Sequence, residues 1–312
     1  MTGPARTMRA MVATRPDPAS LTCEIIPVPE PGPGELLVEV RATAITAAEL
    51  TWPKTWPAIP CHDLSGVVAA AGREVTGWHV GDDVYGLVAF DRPGAAAEFV
   101  TIPAADSAPR PAAVEHVEAA ALPLGALTAW QALHEHAQLH PGQHVLVHGG
   151  AGGVGAYAVQ LAAAHGARVT ATASGRDRGF VTGLGAAAVI DYSGHFEDQV
   201  TDVDVVIDPV GGEVLTRSWP VLRSGGILIS IAEEPEASHG GRDDVRGVYL
   251  VVRPDGGQLR ELASMVVRQQ LRPAVSVAFE LSDLPTAFRA QQAPRPPGKV
   301  VVVRVDRTAR TD

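Results

Sequence analysis

Cysteine is scarce in this chain: only Cys23 and Cys61 occur in 312 residues, and there is no C-x-x-C pair. That excludes a disulfide framework. Long apolar runs are missing too, and none approaches the length of a membrane span. Positive charge is in deficit, with 25 Lys and Arg against 35 Asp and Glu, a formal net charge of −10. This argues against general binding to nucleic acid or to an anionic membrane, while leaving room for a local basic pocket. The opening segment MTGPARTMRAMV has no sustained apolar stretch. No secretory signal is therefore expected, and the expectation is a soluble, cytoplasmic protein. There is no internal repeat and no low-complexity tract beyond an Ala/Gly/Pro bias.

What is present is an ordinary globular composition, 46% hydrophobic and 19% charged, long enough for two domains with cores. The most informative stretch is Gln143–Ser174. Val145, Leu146 and Val147 form a short apolar run between Pro141-Gly142 and a row of glycines, which predicts a buried strand. Gly150-Ala151-Gly152-Gly153-Val154-Gly155 then satisfies G-x-G-x-x-G. Tyr157 to Ala164 is an Ala-rich helix former that Gly166 ends, and Val169 to Ala173 is a second strand. The glycines thus follow a strand and open a helix inside a βαβ unit, the context a dinucleotide site requires. In that reading Gly150 permits a tight turn, Gly152 lets the backbone approach a pyrophosphate, and Gly155 lets helix and strand pack closely.

The end of the second strand separates two cofactors. An NAD site places Asp or Glu there, against the ribose 2′-hydroxyl. Here Ser174 stands at the tip, followed by Gly175, Arg176, Asp177 and Arg178. Two guanidinium groups suit a phosphate, so NADP(H) is expected rather than NAD(H). The alternative is that Arg176 and Arg178 merely solvate the start of the next helix.

Before this stretch, residues 8–110 carry short strand signals. Glu35–Ala42 alternates over most of its length and predicts a half-buried strand, and further signals lie at Leu64–Ala71, Val80–Gly86 and Ala96–Pro103. That spacing suggests a β-barrel-like fold. From Val117 the texture turns helical. After Ser174 strand and helix signals alternate, with helices at 178–183, 213–221 and 258–269 and strands at 187–191, 203–207, 226–231 and 247–253. That rhythm predicts a doubly wound parallel sheet. The tail, with strands at 275–279 and 300–305 and a helix at 284–291, is expected to return to the first domain.

These pieces together resemble the zinc-independent quinone oxidoreductase branch of the medium-chain dehydrogenase/reductases. The matching segments are Pro60–Val68, Val80–Gly86, Ala120–Trp130, Gly142–Ser174, Leu184-Gly185-Ala186, Val189–Tyr192, Asp208–Gly212 and Gly298-Lys299-Val300-Val301. They run in order over nearly the whole chain. The resemblance implies an α/β fold: a GroES-like, β-rich catalytic domain (1–116 and 274–312) and an NADP-binding Rossmann domain (117–273), with a cleft for nicotinamide and substrate. It also suggests a homodimer joined through the strand near Tyr249.

The resemblance further distributes roles. Zinc-bearing relatives hold metal with a Cys, a His and a further Cys or acidic side chain. Thr46 stands at the first Cys position, His62 at the histidine, and Asp63 at an acidic position. One imidazole and one carboxylate do not make three ligands, so no metal is expected. Thr128 is placed near the nicotinamide, and Val210 and Ile231 along the cofactor track. Tyr192 stands beside the 2′-phosphate or is an ordinary strand-end tyrosine. The substrate end is expected from Thr46–Trp56 and Leu87–Phe90. Trp52 and Trp56 are either stacking faces for a flat acceptor or packing under a Pro-rich loop. Lys54 either stabilises an oxyanion or is solvated. Many relatives carry an Asn-Pro or Asn-Tyr/Phe-type pair followed by Asp where this chain has Thr46-Ala47-Ala48-Glu49, and a tyrosine there can donate a proton in enoyl reductases; here the proton donor falls to Asp63, His62 or water, with Asp63 and Thr128 as the catalytic candidates. The implied activity is NADPH-dependent hydride transfer to a quinone or small enone. Alternatives are an enoyl-thioester or biosynthetic tailoring reductase, and a non-redox NADPH-binding protein or cyclase.

Overall fold

A computed structural model describes residues 6–235, 242–292 and 296–304. The chain divides into two compact units. The first comprises residues 1–124, 254–268 and 273–312, and the second residues 125–253 and 269–272.

The first unit is built on a seven-stranded sheet. Its order is Val275–Glu280, Lys299–Val303, Glu35–Ile45, Asp63–Ala71, Asp83–Leu87 and Ser107–Pro109, with Phe99–Pro103 also pairing Glu35–Ile45. Thr7–Ala13 and Leu21–Pro27 form a separate antiparallel hairpin that had no strand signal of its own. The central strand Glu35–Ile45 is almost wholly buried rather than half-buried. Three strands pair with it, and its successive side chains enter different clusters. Leu36, Val38 and Val40 pack with Leu64, Val84 and Ile102, whereas Ala42 and Ala44 pack with Ala120, Ala121 and Val301. Strand pairing with both faces covered overrides the one-sided pattern read from the sequence.

The second unit is a six-stranded, wholly parallel sheet. Its order is Ala188–Asp191, Arg168–Ala173, His144–Val147, Val203–Asp208, Leu222–Ser230 and Arg246–Tyr249. The first strand in sequence lies in the middle, and the chain winds outward to each side in turn, as in dinucleotide-binding sheets. Helix Gly155–Ala164 has no polar stripe and is buried through Ala162, which suits a crossover pressed onto the sheet. Leu146, Val206, Leu228, Trp219 and Phe196 fill a core beside the sheet.

The expected limits at 117 and 273 differ from these units in two places, since residues 117–124 and 254–268 both fall in the first unit. Helix Gly256–Val267 explains the second. Its first residue presses on the Ala105 and Ser107 carbonyls, and the Tyr85 hydroxyl donates to the Leu259 carbonyl.

Candidate functional site

In the second unit, five of the expected cofactor positions lie at one end of the sheet because the strands are parallel and in register. Val147, Ala171, Val189, Ile207 and Ile229 sit side by side across it. The glycine loop follows the first of these strands, Ser174 the second, Tyr192 the third, Val210 the fourth and Ile231 the fifth. The C-terminal edge of such a sheet is where its ligands bind.

The loop itself is made from backbone. Gly149 takes the left-handed conformation, at φ +59, and Gly150 follows it inside the turn that the Gly152 N–H closes onto the Gly149 carbonyl. Gly150 also leaves room for Ala171, whose Cβ would lie 2.9 Å from a Cβ added there. A Cβ on Gly155 would strike the Gly149 carbonyl oxygen, so the helix can open only on glycine. Gly152 donates to the Gly149 carbonyl at 2.8 Å. Helix Gly155–Ala164 has no side-chain cap at Val154; the Ala156 and Tyr157 N–H groups already bond the Gly152 and Val154 carbonyls at 3.1 and 3.0 Å, which leaves the Val154 and Gly155 N–H groups to meet an anion. Ala151, Gly152 and Gly153 present partly exposed backbone beside them. Gly125 packs on the Gly153 carbonyl, while Thr128, three residues on, is buried. Just before the loop, buried His148 bonds Ser218 at 2.9 Å and Thr172 at 3.2 Å, and burial pushes its pKa down to about 3. A neutral imidazole braces the strand end without adding charge to the loop.

At the expected phosphate end the two arginines part company. Arg176 is 60% exposed, with only a loose contact to Asp177 at 3.7 Å. Arg178 donates to the Val189 carbonyl and is committed to the neighbouring strand. Asp177 accepts the Ser174 hydroxyl, and hydrogen bonds from Ser193 hold the Asp191 carboxyl below the usual range. Tyr192 is 63% exposed and Val210 52%. Under the Val210 loop, Asp208 accepts the Val210 and Gly211 N–H groups at 2.8 and 3.1 Å.

The candidate residues of the first unit form a buried polar cluster and an aromatic corner. Asp63, expected as a catalytic acid, is fully buried. It pairs with Lys299 Nζ at 2.7 Å and accepts the Leu124 N–H at 2.6 Å. A carboxylate so enclosed is part of the frame, and its proposed proton-donor role is withdrawn. Lys299 also donates to the Thr46 hydroxyl at 3.2 Å. Buried Glu49 accepts the Thr46 and Cys61 N–H groups at 2.9 and 2.6 Å, and burial raises its pKa against the pull of those bonds. Leu87, expected to line the substrate end, is fully buried at the end of its strand, paired with Asp63, and belongs to the core. His62 is buried beside two aromatic rings, with Phe90 at 5.2 Å and Trp52 at 6.3 Å between ring centroids. Trp52 and Phe90 lie 4.8 Å apart. Trp56 packs against the hydrophobic cluster of Ile45, Leu50 and Phe288. Lys54 sits about equally far from both indoles, at 5.9 and 6.0 Å.

Elsewhere in this unit His116 bonds the Ser65 hydroxyl at 2.8 Å and approaches Asp83 at 3.3 Å. The serine is fully buried, so this chain of three is a structural tie rather than a nucleophile. The partners that sequence reasoning missed, Lys299 for Asp63 and Glu49 for Thr46, are buried ions. Gly298-Lys299 was visible as a motif but carried no hint of its partner.

Both the layered sheets and the glycine loop find counterparts among known proteins. The alcohol dehydrogenase GroES-like domain model matches residues 32–112, and the zinc-binding dehydrogenase model matches residues 184–302. The chain belongs to the medium-chain dehydrogenase/reductase family, in its quinone-oxidoreductase-like part, and is an oxidoreductase. It is 32% identical to the 2-methylene-furan-3-one reductase of Solanum lycopersicum, over 89% of this chain and 74% of that protein. It is 30% identical to the mitochondrial NAD(P)H oxidoreductase RTN4IP1 of Danio rerio, over 79% and 72%. The quinone oxidoreductase of Coxiella burnetii superposes with a TM-score of 0.88 at 30% identity, covering 96% of this chain and all of that one.

The zinc named in one of these descriptions does not fit the donor set found here. The first ligand position holds Thr46, and Asp63 is turned onto Lys299. No group of three His, Cys, Asp or Glu side chains converges among the described residues. A single imidazole remains, where a catalytic zinc takes three protein ligands. Among the described residues no helix is long and apolar enough to cross a membrane.

Proposed function

We propose that the chain is an NADPH-dependent reductase that delivers hydride to a quinone or an α,β-unsaturated carbonyl compound without a metal ion. The observation that carries this reading is the pairing of an open, glycine-built anion cradle with a former metal position closed by Lys299 and Asp63. NADPH, when bound, supplies the hydride. Ala151, Gly153, Val154 and Gly155 would hold its pyrophosphate through backbone N–H groups at the helix N-terminus, while Gly150 and Gly152, whose own N–H groups bond Thr172 and Gly149, would let it approach by carrying no side chain. Ser174 leaves the ribose end free of an acidic side chain at the strand tip, and exposed Arg176 would hold a 2′-phosphate as a guanidinium fork. Arg178 acts one step removed, by fixing the strand end through Val189. Tyr192, Val210, Ile231 and Thr128 complete the cofactor track.

A conjugated acceptor needs less assistance than an alcohol, because negative charge spreads from the carbon that receives hydride onto the carbonyl oxygen. The corner formed by Trp52 and Phe90 offers aromatic surface for such an acceptor, with Thr46 and Trp56 on the same loop as Trp52. Buried Asp63 and neutral His62 leave water as the proton source. The sheet's edge strand Arg246–Tyr249 pairs on one side only among the described strands, and Tyr249 and Val251 are exposed beside it. A second copy of the chain would cover that edge, giving a homodimer; a monomer by light scattering at micromolar concentration would refute this. The protein is proposed to work in the cytoplasm.

The test is NADPH oxidation with 1,4-benzoquinone and with small enones, before and after exhaustive chelation. Turnover that survives chelation and prefers NADPH over NADH is the expected result. Activity that disappears with the metal, or a preference for NADH, would overturn the corresponding part of the reading.

A further inference from the structure

The His62 Nε2 atom is buried and has no hydrogen-bond partner. The other ring nitrogen explains its chemical state. Nδ1 lies 3.1 Å from the Val88 carbonyl oxygen, and a carbonyl only accepts, so Nδ1 carries the proton. Enclosed beside two aromatic rings, with no acceptor for a second N–H, the imidazole is held neutral, and Nε2 presents a bare lone pair. Its ring neighbours are Phe90, edge-on, and Trp52. Neither satisfies a lone pair as a hydroxyl would. An acceptor molecule bearing only carbonyl or ether oxygens there would set lone pair against lone pair.

We propose that His62 is a specificity-determining hydrogen-bond acceptor, and that the aromatic corner it shares with Trp52 and Phe90 takes a flat conjugated carbonyl compound that also carries a hydroxyl group. This rests on the quinone and enone reading above and narrows its substrate class. The ligand ring takes the place of the Trp52 indole against Phe90, and its hydroxyl donates to Nε2. Trp52 is the ring best suited to move: it is half-buried and follows a single 3-10 turn, Glu49–Thr51. His62 itself cannot turn away without giving up the Val88 carbonyl. Sites of this kind reject analogues that lack the donor, because the buried polar atom is then left unpaired.

The test is equilibrium binding to the full chain, followed by tryptophan fluorescence, of 4-(4-hydroxyphenyl)but-3-en-2-one and its 4-methoxy ether, without reduced cofactor. The hydroxyl compound should bind at least about tenfold more tightly, ~1.4 kcal/mol. In His62→Phe that preference should fall below about twofold, whereas His62→Gln, whose side-chain oxygen accepts, should retain part of it. Equal binding of the two probes, binding of neither, or a preference that survives in His62→Phe overturns the proposal. If His62→Phe does not fold, by circular dichroism, the wild-type ratio decides alone. NADPH oxidation with both probes, read separately, keeps the two readings apart. Turnover of both at equal affinity sinks the hydroxyl requirement and leaves hydride transfer standing. A clear hydroxyl preference without any turnover does the reverse.

Discussion

The glycine loop of the second unit and the Lys299 cluster of the first are both built sites, made in opposite ways. The loop works by the absence of side chains over a few consecutive residues, so that backbone N–H groups face an anion. The cluster works by side chains brought from distant parts of the chain, Thr46, Asp63 and Lys299, into a buried ion pair. The first tolerates no added atom. The second tolerates no removed charge, because a partner left behind would be buried alone.

Changing each in its own vulnerable direction separates the two. The largest effect is expected from Gly155→Ala, whose new Cβ meets a main-chain carbonyl that cannot step aside. NADPH affinity by calorimetry should fall by about a hundredfold or more, because both the cradle and the helix start are displaced. A variant that binds like wild type would show that the loop is not the site. Next comes Lys299→Met, which isolates the Asp63 carboxylate and should cost about 3–5 kcal/mol in denaturant unfolding. Adding Asp63→Leu should restore most of that. No rescue in the double variant would mean that the two side chains are not coupled.

A smaller effect follows from pH. His62 and His148 are held below their ordinary value, near 4 and 3 respectively. The unfolded chain takes up these protons as pH falls below about 6.5, while the folded chain does not, so stability drops by about 1 kcal/mol per pH unit for each. Glu49, raised by burial, works in the other direction, and its contribution grows as the pH falls through its folded value toward the ordinary carboxylate value. The net loss between pH 6.5 and 4, followed by urea unfolding, should shrink in His62→Phe. An unchanged slope would contradict the neutral, buried assignment of that ring. The smallest effect distinguishes the arginines: Arg176→Ala should raise the KM for NADPH by about tenfold and leave NADH unchanged, the scale of one charge-assisted bond. Arg178→Ala should lower the affinity for both nucleotides alike and by less. Equal behaviour of the two variants would remove Arg176 from the phosphate.

What could be read in advance follows the same division. The order of strands and helices around Gln143–Ser174 was legible because it is local: apolar runs, glycines and an alanine-rich helix within one short span. Even there the left-handed residue is Gly149, one place before the first glycine of the motif. Only the three-dimensional path shows which glycine takes the left-handed conformation. Asp63 and Leu87 looked functional because of where they stand in the sequence. Their burial depends on partners, Lys299 above all, that are far away in the chain. The hairpin Thr7–Ala13 with Leu21–Pro27 is hard to read because its second strand is largely exposed, so the alternation of Leu21, Cys23 and Ile25 with Thr22 and Glu24 marks no buried face. Trp52 and Phe90 were each named, but that they meet over His62 is a fact of packing.

The strand Lys299–Val303 lies between Glu35–Ile45 and the edge strand Val275–Glu280 of its sheet. During synthesis that slot has no occupant until the whole second unit has emerged ahead of it. The parallel sheet, drawn from one continuous stretch between residues 144 and 249, has all its members much sooner. On the ribosome, the nascent first unit must therefore wait with an open seam and an unneutralised aspartate for the segment that closes both in one step.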